Sequence, residues 1–568
     1  MFTYIAQSSM VIRLSGSAAL KPHLDFRRDF VNKKPEVNAS VSRRNFIRVS
    51  GAGAAVLTAD RAFSFGSVPK RFPTEDHEVI IIGSGFGGAI SAHRLTENGV
   101  SVLMIEQGRR WDQKLAKGER RFSYNLYPDG RSTWLSYKTV IPLGPPLPIP
   151  KTTGVLQGRQ LAGKTIVSGA AYGGGSIVYG GILAKPEEKI YNLVFPKEIP
   201  FAELQPFYDI VAEKLNRGTI PEDIESSDPY RHVRVAKAQA EKANLKWEHL
   251  NTGTNWDTVR GELDGSVAPS LIHGEAVYGV NSGAKSTLDN SYLKEAEATG
   301  RLDVRPLHQV QDISENADGT YLVTAHELNQ DGNVIAYRSF SCKKLILSAG
   351  TIGTTSLLVK AKAKGGLTRL NDEVGKNWGN NGNVYALRLG VGESTGRWQA
   401  GPPSVGISDL DNPLGPLFIE HPQLPLGLDI FGLLYFGIGI SPTRGQFVYN
   451  ASSDSVTIDW PKNDPGQEKI NEALMATMNK MNETSGGITT SLLTYLKDKV
   501  KDDICYHPLG GVVMGKAADF FGRVKGYKGL YVNDGSFMPS SSACTNPSFT
   551  ISALAERNIA NIIAEDFV

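Results

Sequence analysis

The sequence predicts a mixed α/β (α+β) fold. A strand, a glycine-rich turn, a helix and a second strand follow one another between residues 78 and 106, which is the repeating unit of a parallel sheet. Apolar strand signals recur far along the chain, at 345–347 and 531–533. Because 568 residues exceed what one simple core supports, we expect two domains, one of them assembled from distant segments.

Composition and charge are those of an ordinary globular protein. The chain is 40% hydrophobic with a net charge of +3. It has no stripe of Lys and Arg interleaved with aromatic residues, so nucleic-acid binding is not predicted. Cys342, Cys505 and Cys544 have no disulfide or metal-ligand spacing, so no metal is expected. No apolar run reaches the roughly 18 residues of a membrane span, and the longest, 430–440, predicts a buried strand.

Residues 1–64 are predicted to be an export leader. They hold ten Lys/Arg and only four Asp/Glu. The paired arginines Arg43 and Arg44 precede a small-residue apolar run at 51–59, which is the twin-arginine pattern. Cleavage is predicted after Ser64, and the expected location is secreted or periplasmic.

The first strand, 78–82, runs into a dinucleotide-binding turn of the G-x-G-x-x-G type. Gly83 permits the tight turn, Gly85 lets the backbone approach a pyrophosphate, and Gly88 lets the helix pack on the strand. The helix N-terminus offers N–H groups to the phosphates. Glu106 lies 18 residues past Gly88, where a carboxylate accepts hydrogen bonds from an adenosine ribose. This acid disfavours a 2′-phosphate, so FAD or NAD is expected rather than NADP.

A second glycine-rich segment favours FAD over NAD. Gly173, Gly174, Gly175 and Ser176 follow an apolar approach at 166–167. Such a segment alone could be a flexible loop, but adjacent glycines also allow a backbone to pack against a flat group such as an isoalloxazine ring.

The C-terminal region predicts a third part of the cofactor site. A strand from 530 ends at Asp534 and Gly535, and Asn546 with Pro547 opens a helix that runs to 563. Asn is a favoured N-cap residue and Pro suits the first helical position. A helix N-terminus aimed at a flavin would favour negative charge there.

Together these segments resemble the glucose–methanol–choline (GMC) oxidoreductase family, and within it the bacterial cholesterol oxidases that hold FAD non-covalently. The resemblance covers essentially all of residues 75–568. The motifs that carry it are G-S-G-F-G-G at 83–88, Y-G-G-G-S at 172–176, W-G-N-N-G-N at 378–383, C-Y-H-P-L-G-G at 505–511, Y-V-N-D-G-S at 531–536 and N-P-S-F-T-I at 546–551. Some family members attach FAD through a histidine just after the second glycine-rich segment, but residues 176–186 contain none, so non-covalent FAD is expected.

The predicted architecture is a discontinuous Rossmann-like FAD-binding domain at 65–118, 285–375 and 521–568. The segments between, 119–284 and 376–520, are predicted to form a steroid-substrate domain over a large, mostly antiparallel sheet. The predicted cofactor-binding residues are Gly83, Gly85, Gly88, Glu106, Gly173, Gly174, Gly175, Ser176, Val310, Asp534, Gly535 and Asn546.

The resemblance implies three catalytic residues. His507 would take the proton of the substrate hydroxyl or only orient that hydroxyl, and both roles stay open. Asn546 would contact the flavin or the same hydroxyl. Glu420 lies among apolar residues, where desolvation raises the pKa of a carboxyl and makes it a usable base. The alternative for Glu420 is a surface position on an edge strand.

The activity that the resemblance implies is FAD-dependent oxidation of a 3β-hydroxysteroid such as cholesterol by O2, giving the 3-ketone and H2O2. Glu420 would then move a proton from C4 to C6, converting the 5-en-3-one to the conjugated 4-en-3-one. Alternatives are a relative that oxidises another bulky alcohol with a non-oxygen acceptor, and a protein that binds and perturbs sterol membranes. We expect a monomer that draws sterol from membranes or lipid particles and touches the membrane only peripherally, with the apolar, proline-rich segment 140–150 as a lid.

Overall fold

The structure, a computed structural model, describes residues 69–111, 120–140, 146–161, 163–491 and 503–567. The predicted leader, with its twin-arginine motif and cleavage site, lies outside the described residues, as does 141–145 within the predicted lid.

The strands are short in the N-terminal half and longer around residue 340. They are β1 (Lys70–Arg71), β2 (Glu75–Ile82), β3 (Val102–Ile105), β4 (Leu156–Leu161), β5 (Lys164–Gly169), β6 (Arg217–Gly218), β7 (Trp247–His249), β8 (Thr252–Gly253), β9 (Leu302–Arg305), β10 (His308–Glu315), β11 (Tyr321–Leu328), β12 (Val334–Leu347), β13 (Asn383–Leu389), β14 (Val405–Asp409), β15 (Leu417–Glu420), β16 (Gly432–Gly439), β17 (Gln446–Asn450), β18 (Ser455–Asp459), β19 (Ile488–Ser491), β20 (Asp503–Cys505) and β21 (Leu530–Val532). The α-helices of the described residues are α1 (Phe86–Glu97), α2 (Glu188–Val194), α3 (Gln205–Lys214), α4 (Glu222–Glu225), α5 (Arg231–Lys242), α6 (Trp256–Asp264), α7 (Tyr292–Ala298), α8 (Gly350–Ala363), α9 (Pro465–Ser485) and α10 (Pro547–Asp566).

The larger sheet has the order β10-β11-β12-β2-β3-β9, and β1 and β21 also pair with β12. The central pairs β12–β2, β2–β3, β3–β9 and β12–β21 are parallel, whereas β10 and β11 form an antiparallel extension. The side chains of 79–82 and 102–105 are almost fully buried, as continuous apolar runs in a parallel sheet require. The predicted fold class is therefore confirmed.

The carboxyl ends of three parallel strands meet at one edge of this sheet. Gly83 follows β2, Ser348 follows β12 and Asn533 follows β21. The helix α1 packs closely on the turn that follows β21, so a Cβ at Gly87 would lie 1.5 Å from the Asn533 carbonyl oxygen. Ligands of open α/β sheets bind at this edge, so the glycine turn and Asp534 belong to one site.

The second sheet is antiparallel throughout, with the order β19-β13-β16-β15-β14-β7. One face packs against α9 and α5 through a core that includes Leu474, Met478 and Tyr435. Because side chains alternate between faces, Glu420, Phe436 and Tyr385, which are opposite one another on β15, β16 and β13, share the other face. This row forms one wall of the candidate active site.

The elements predicted from sequence are present, with different lengths. The strand expected at 345–347 is the end of the fourteen-residue β12, and the buried strand expected at 430–440 is β16, whose residues are all buried. The strands of the larger sheet fall within the three segments predicted for the FAD-binding domain, and the exact domain boundaries stay a prediction. Within the described ranges, no helix combines the length and apolarity that crossing a membrane requires.

Candidate active site

The dinucleotide turn is built by close backbone contacts that only glycine permits. Gly83 has a φ of +95°, and a Cβ there would lie 2.3 Å from the Ser348 carbonyl oxygen. A Cβ at Gly88 would lie 2.0 Å from the Gly83 carbonyl oxygen. At Gly85 a Cβ would meet no atom of the described residues within 4 Å, so this side of the turn is accessible to a ligand's phosphates.

Glu106 ties the turn to the end of β3. Its Oε2 accepts hydrogen bonds from the Ser84 N–H (2.9 Å) and Ser84 Oγ (2.6 Å), and its Oε1 accepts one from the Gly108 N–H (2.7 Å). Burial raises the pKa of Glu106, against these hydrogen bonds. The backbone of Gln107 is a further hydrogen-bond partner, so the protein itself holds this carboxylate firmly in place at the end of β3.

The second glycine-rich segment packs directly on the first. The Gly173 N–H donates to Ser84 Oγ (3.0 Å), and a Cβ at Gly174 would lie 2.6 Å from the Gly85 Cα. Ser176 Oγ donates to the Gly173 carbonyl oxygen (2.7 Å) and accepts the Leu288 N–H (3.0 Å). The segment 173–176 is therefore a fixed part of the cofactor cradle and not a free loop.

Asp534 and Gly535 close the cradle from the C-terminal side. The Asp534 carboxylate accepts hydrogen bonds from the Ser536 N–H (2.8 Å) and Thr354 Oγ1 (2.5 Å), and burial raises its pKa. Gly535 has no room for a side chain, since a Cβ would lie 2.7 Å from Thr351 Oγ1. Val310 lies on β10 beside a bulge and packs on the main core.

Lys285 is a buried residue beside this cradle that sequence reasoning missed. Its Nζ donates to the carbonyl oxygens of Ile177 (2.9 Å) and Tyr179 (2.8 Å), just past the glycine-rich segment. Burial lowers the pKa of Lys285 to about 7. No local pattern predicts this residue, because its two closer acceptors lie more than 100 positions away.

His507 lies after β20 and faces the row on the antiparallel sheet. Its Nδ1 lies 3.1 Å from Asn383 Nδ2 and 3.4 Å from Asn381 Nδ2, so it accepts hydrogen bonds from these amides. Burial lowers the pKa of His507 to about 3, so the ring is neutral at neutral pH. With Nδ1 as the acceptor, this hydrogen-bond network assigns the proton to Nε2.

Glu420 ends β15, an internal strand of the second sheet, and is 2% exposed. The alternative of a surface Glu on an edge strand is therefore wrong. Burial raises the pKa of Glu420 to about 8, and a side-chain hydrogen bond from Asn546 opposes the rise. The Phe436 ring opposite Glu420 lies 5.4 Å from the His507 ring, measured between ring centroids. The three predicted catalytic residues thus surround one site.

Asn546 occupies the N-cap position of α10, with Pro547 as the first helical residue. Its side chain makes no capping hydrogen bond, so the expected capping role of this side chain is wrong. The side chain instead bonds Glu420, and its Oδ1 is buried without a partner among the described residues. A buried, unpaired oxygen is costly, which fits a group that meets a ligand.

These residues fit FAD. The free side of Gly85 suits the pyrophosphate, the position of Glu106 at the end of β3 suits the ribose, and the N-terminus of α10 suits the ring system. A neutral imidazole and a buried carboxyl stand beside this cradle. The fold and the site define an FAD-dependent oxidoreductase acting on alcohols.

Family models identify the class more closely. Residues 381–494 match the model described as GMC oxidoreductase, C-terminal, and 454–555 match a second GMC oxidoreductase model. Residues 81–111 match an NAD(P)-binding Rossmann-like domain. Residues 381–555 of the chain thus match models of the GMC oxidoreductase family.

Curated relatives span most of the chain at low identity. A cholesterol oxidase of Acinetobacter baumannii is 25% identical, with 86% of this chain and 95% of the relative covered. A cholesterol oxidase of Mycobacterium tuberculosis is 26% identical (85% and 90% covered), and a paromamine 6′-oxidase of Streptomyces fradiae is 24% identical (86% and 92% covered). A solved fungal aryl-alcohol oxidase shares the fold with a TM-score of 0.60 at 15% identity, covering 87% of this chain and all of that one.

Proposed function

We propose that this protein oxidises the 3β-hydroxyl of a sterol such as cholesterol with O2 and then isomerises the product. The alcohol loses a hydride and a proton to become the 3-ketone, and O2 takes up two electrons and two protons to become H2O2. Glu420 carries the proposal, because a buried carboxyl with a raised pKa beside the alcohol-binding groups is what the isomerisation requires. The similarity to cholesterol oxidases over most of the chain supports it.

His507 would hold the substrate oxygen. With its proton on Nε2, the neutral ring donates a hydrogen bond to that oxygen. The Oδ1 of Asn546 would accept the hydroxyl hydrogen and so orient the carbinol carbon. Bound FAD supplies the acceptor for the hydride.

Glu420 would move the proton between C4 and C6. The isomerisation needs one base that accepts the C4 proton and returns it to C6 on the same face of the steroid. A carboxyl with a pKa of about 8 is both protonated and ionised in useful amounts near neutral pH. The apolar wall that includes Phe436 and Phe418 suits a steroid skeleton.

A peripheral contact with membranes or lipid particles would deliver this insoluble substrate. Four exposed large side chains on two adjacent loops support such a contact, namely Tyr124, Tyr127, Leu428 and Phe431. The loops adjoin, since a Cβ at Gly427 would lie 3.2 Å from Leu126 Cδ1. Arg120, which is paired with Glu275, stacks on Tyr124 and so fixes one of these exposed rings. We further propose a monomer, exported by the twin-arginine route.

The direct test incubates the purified holoprotein with cholesterol in air. We expect peroxide and the ultraviolet absorbance of the conjugated enone to appear together. Cholestanol, which lacks the 5-ene, is the matched control and should give peroxide without enone. Absence of peroxide with both sterols would refute the proposed substrate class.

Another bulky alcohol is the second candidate. The Tyr385 hydroxyl shares the wall with Glu420 and is buried without a partner within the described part of the chain. An unpaired phenol is unfavourable beside a hydrocarbon and favours a substrate with a second polar group. In this second candidate the electrons pass to an acceptor other than oxygen. Assays with steroids that carry a polar group far from C3, with and without an artificial electron acceptor, separate the two candidates.

A further inference from the structure

The side chain of Asn381 is held at both ends by the backbone of the loop that precedes Asn546. Its Oδ1 accepts the Ser542 N–H (2.9 Å), and its Nδ2 donates to the Thr545 carbonyl oxygen (2.9 Å). The residue is 1% exposed. A backbone N–H can only donate and a carbonyl can only accept, so these two bonds leave one orientation for the amide.

The second hydrogen of this fixed amide points to His507. Asn381 Nδ2 lies 3.4 Å from His507 Nδ1. Asn383 Nδ2 is closer, at 3.1 Å, but the Asn383 Oδ1 is buried without a partner in the described residues. Nothing therefore prevents the Asn383 amide from turning its oxygen to the ring, whereas Asn381 can present only a donor.

We propose that Asn381 is a positioning residue that keeps the His507 proton on Nε2 and holds the loop that carries Asn546. One amide would thereby couple the two groups that meet the substrate oxygen. The inference rests on the proposed role of His507 but on no particular alcohol. The W-G-N-N-G-N motif thus gains a physical role, although it lies more than 120 residues from His507 in sequence.

The surroundings of His507 make this effect measurable. Among the described residues, the titratable groups near the ring are Tyr506, Tyr385, Glu420 and the buried thiol of Cys505. Burial raises the pKa of Tyr506, Tyr385 and Glu420. Tyr506 and Tyr385 stay neutral through pH 9, and Glu420 titrates at about 8. Below pH 7 only His507 itself would respond, and burial keeps its pKa at about 3 in the native protein.

The test is Asn381→Asp, with Asn380→Asp as the matched control. An aspartate at 381 still accepts a hydrogen bond from the Ser542 N–H. Towards His507 it can only accept a hydrogen bond, so the ring proton moves to Nδ1 and the protonated imidazolium form is favoured. An opposite charge at this distance raises a histidine pKa by about 1–3 units. Asn380 is equally buried and is bonded to Gln467 Oε1 (2.9 Å), with no hydrogen bond to His507. The readout is the visible absorbance of bound flavin in substrate-free holoprotein from pH 4 to 9.

We expect a new transition between about pH 4 and 6 in the Asn381→Asp protein only. The absence of this transition in a flavin-loaded Asn381→Asp protein, or the same transition in the Asn380→Asp control, would overturn the proposal.

If Asn381→Asp does not fold, the second test compares Asn381→Ala with Asn380→Ala. Anaerobic flavin reduction by any alcohol that the native protein oxidises should then be at least about tenfold slower at equal flavin content, and equal rates would overturn it. These outcomes do not depend on whether the substrate is a sterol.

Discussion

Replacing Glu420 with Gln should separate the two proposed chemistries. Gln keeps the size of the side chain but cannot act as a base. Removal of a general base costs about two to four powers of ten in rate, so isomerisation should fall by that amount. Peroxide formation should persist, because His507 and the Asn546 side chain that hold the hydroxyl are unchanged. The unconjugated 5-en-3-one should therefore accumulate.

The pH dependence of isomerisation follows from the pKa of Glu420. With a pKa of about 8, about one tenth of the carboxyl is ionised at pH 7 and about nine tenths at pH 9. Isomerisation of supplied 5-en-3-one should therefore rise by about an order of magnitude over this range in the native protein. A flat profile, or normal conjugated product from the Gln variant, would refute the assignment of Glu420.

The same substitution should change stability in a pH-dependent way. The ordinary pKa of 4.5 applies in the unfolded chain and about 8 in the folded protein, so the folded state binds the proton more tightly. This tighter proton binding adds to the free energy of unfolding in full below pH 4.5, and the contribution is lost as the pH rises toward 8. At pH 7 the loss is on the order of 3 kcal/mol, so Glu420→Gln should raise the unfolding midpoint most at neutral and alkaline pH. If the native protein and the Glu420→Gln protein had equal unfolding midpoints both at pH 5 and at pH 8, the result would contradict this reasoning.

Three further outcomes test the rest of the site. His507→Ala removes the proposed hydrogen-bond donor to the substrate oxygen, so flavin reduction should slow by about two to three powers of ten. Isomerisation of supplied 5-en-3-one should stay largely intact, and equal loss of both activities would contradict the division of roles. Acid precipitation should release the flavin into the supernatant, since residues 176–186 contain no His, and yellow pelleted protein would show the opposite. Tyr385→Phe removes a buried hydroxyl that has no partner among the residues described by the structure, so the melting temperature should stay or rise. A loss above about 1 kcal/mol in unfolding free energy would reveal a further partner.

Local sequence signals were enough for the cofactor cradle. Two local requirements favour glycine in this turn, namely the positive φ of Gly83 and the contact of Gly88 with the nearby Gly83 carbonyl oxygen. The Ser348 carbonyl oxygen that also excludes a side chain at Gly83 comes from a distant part of the chain. The position of Asn546 before Pro547 likewise predicted the start of α10. What its side chain does was not predictable, because its partner Glu420 lies on a strand of the antiparallel sheet, more than 100 residues earlier in the chain.

The sequence by itself determined the fold class, the FAD site and the identity of the three candidate catalytic residues. Each of them is marked by a compact motif or by a charged residue within an apolar stretch. Only the tertiary structure decided their protonation. The pKa of His507 near 3 and that of Glu420 near 8 both come from burial, which depends on the packing of distant segments. The tautomer of His507 depends on Asn381, and the orientation of that amide is set by a loop 160 residues further along the chain. Hydrogen bonds across such separations leave no periodic or local trace in a sequence.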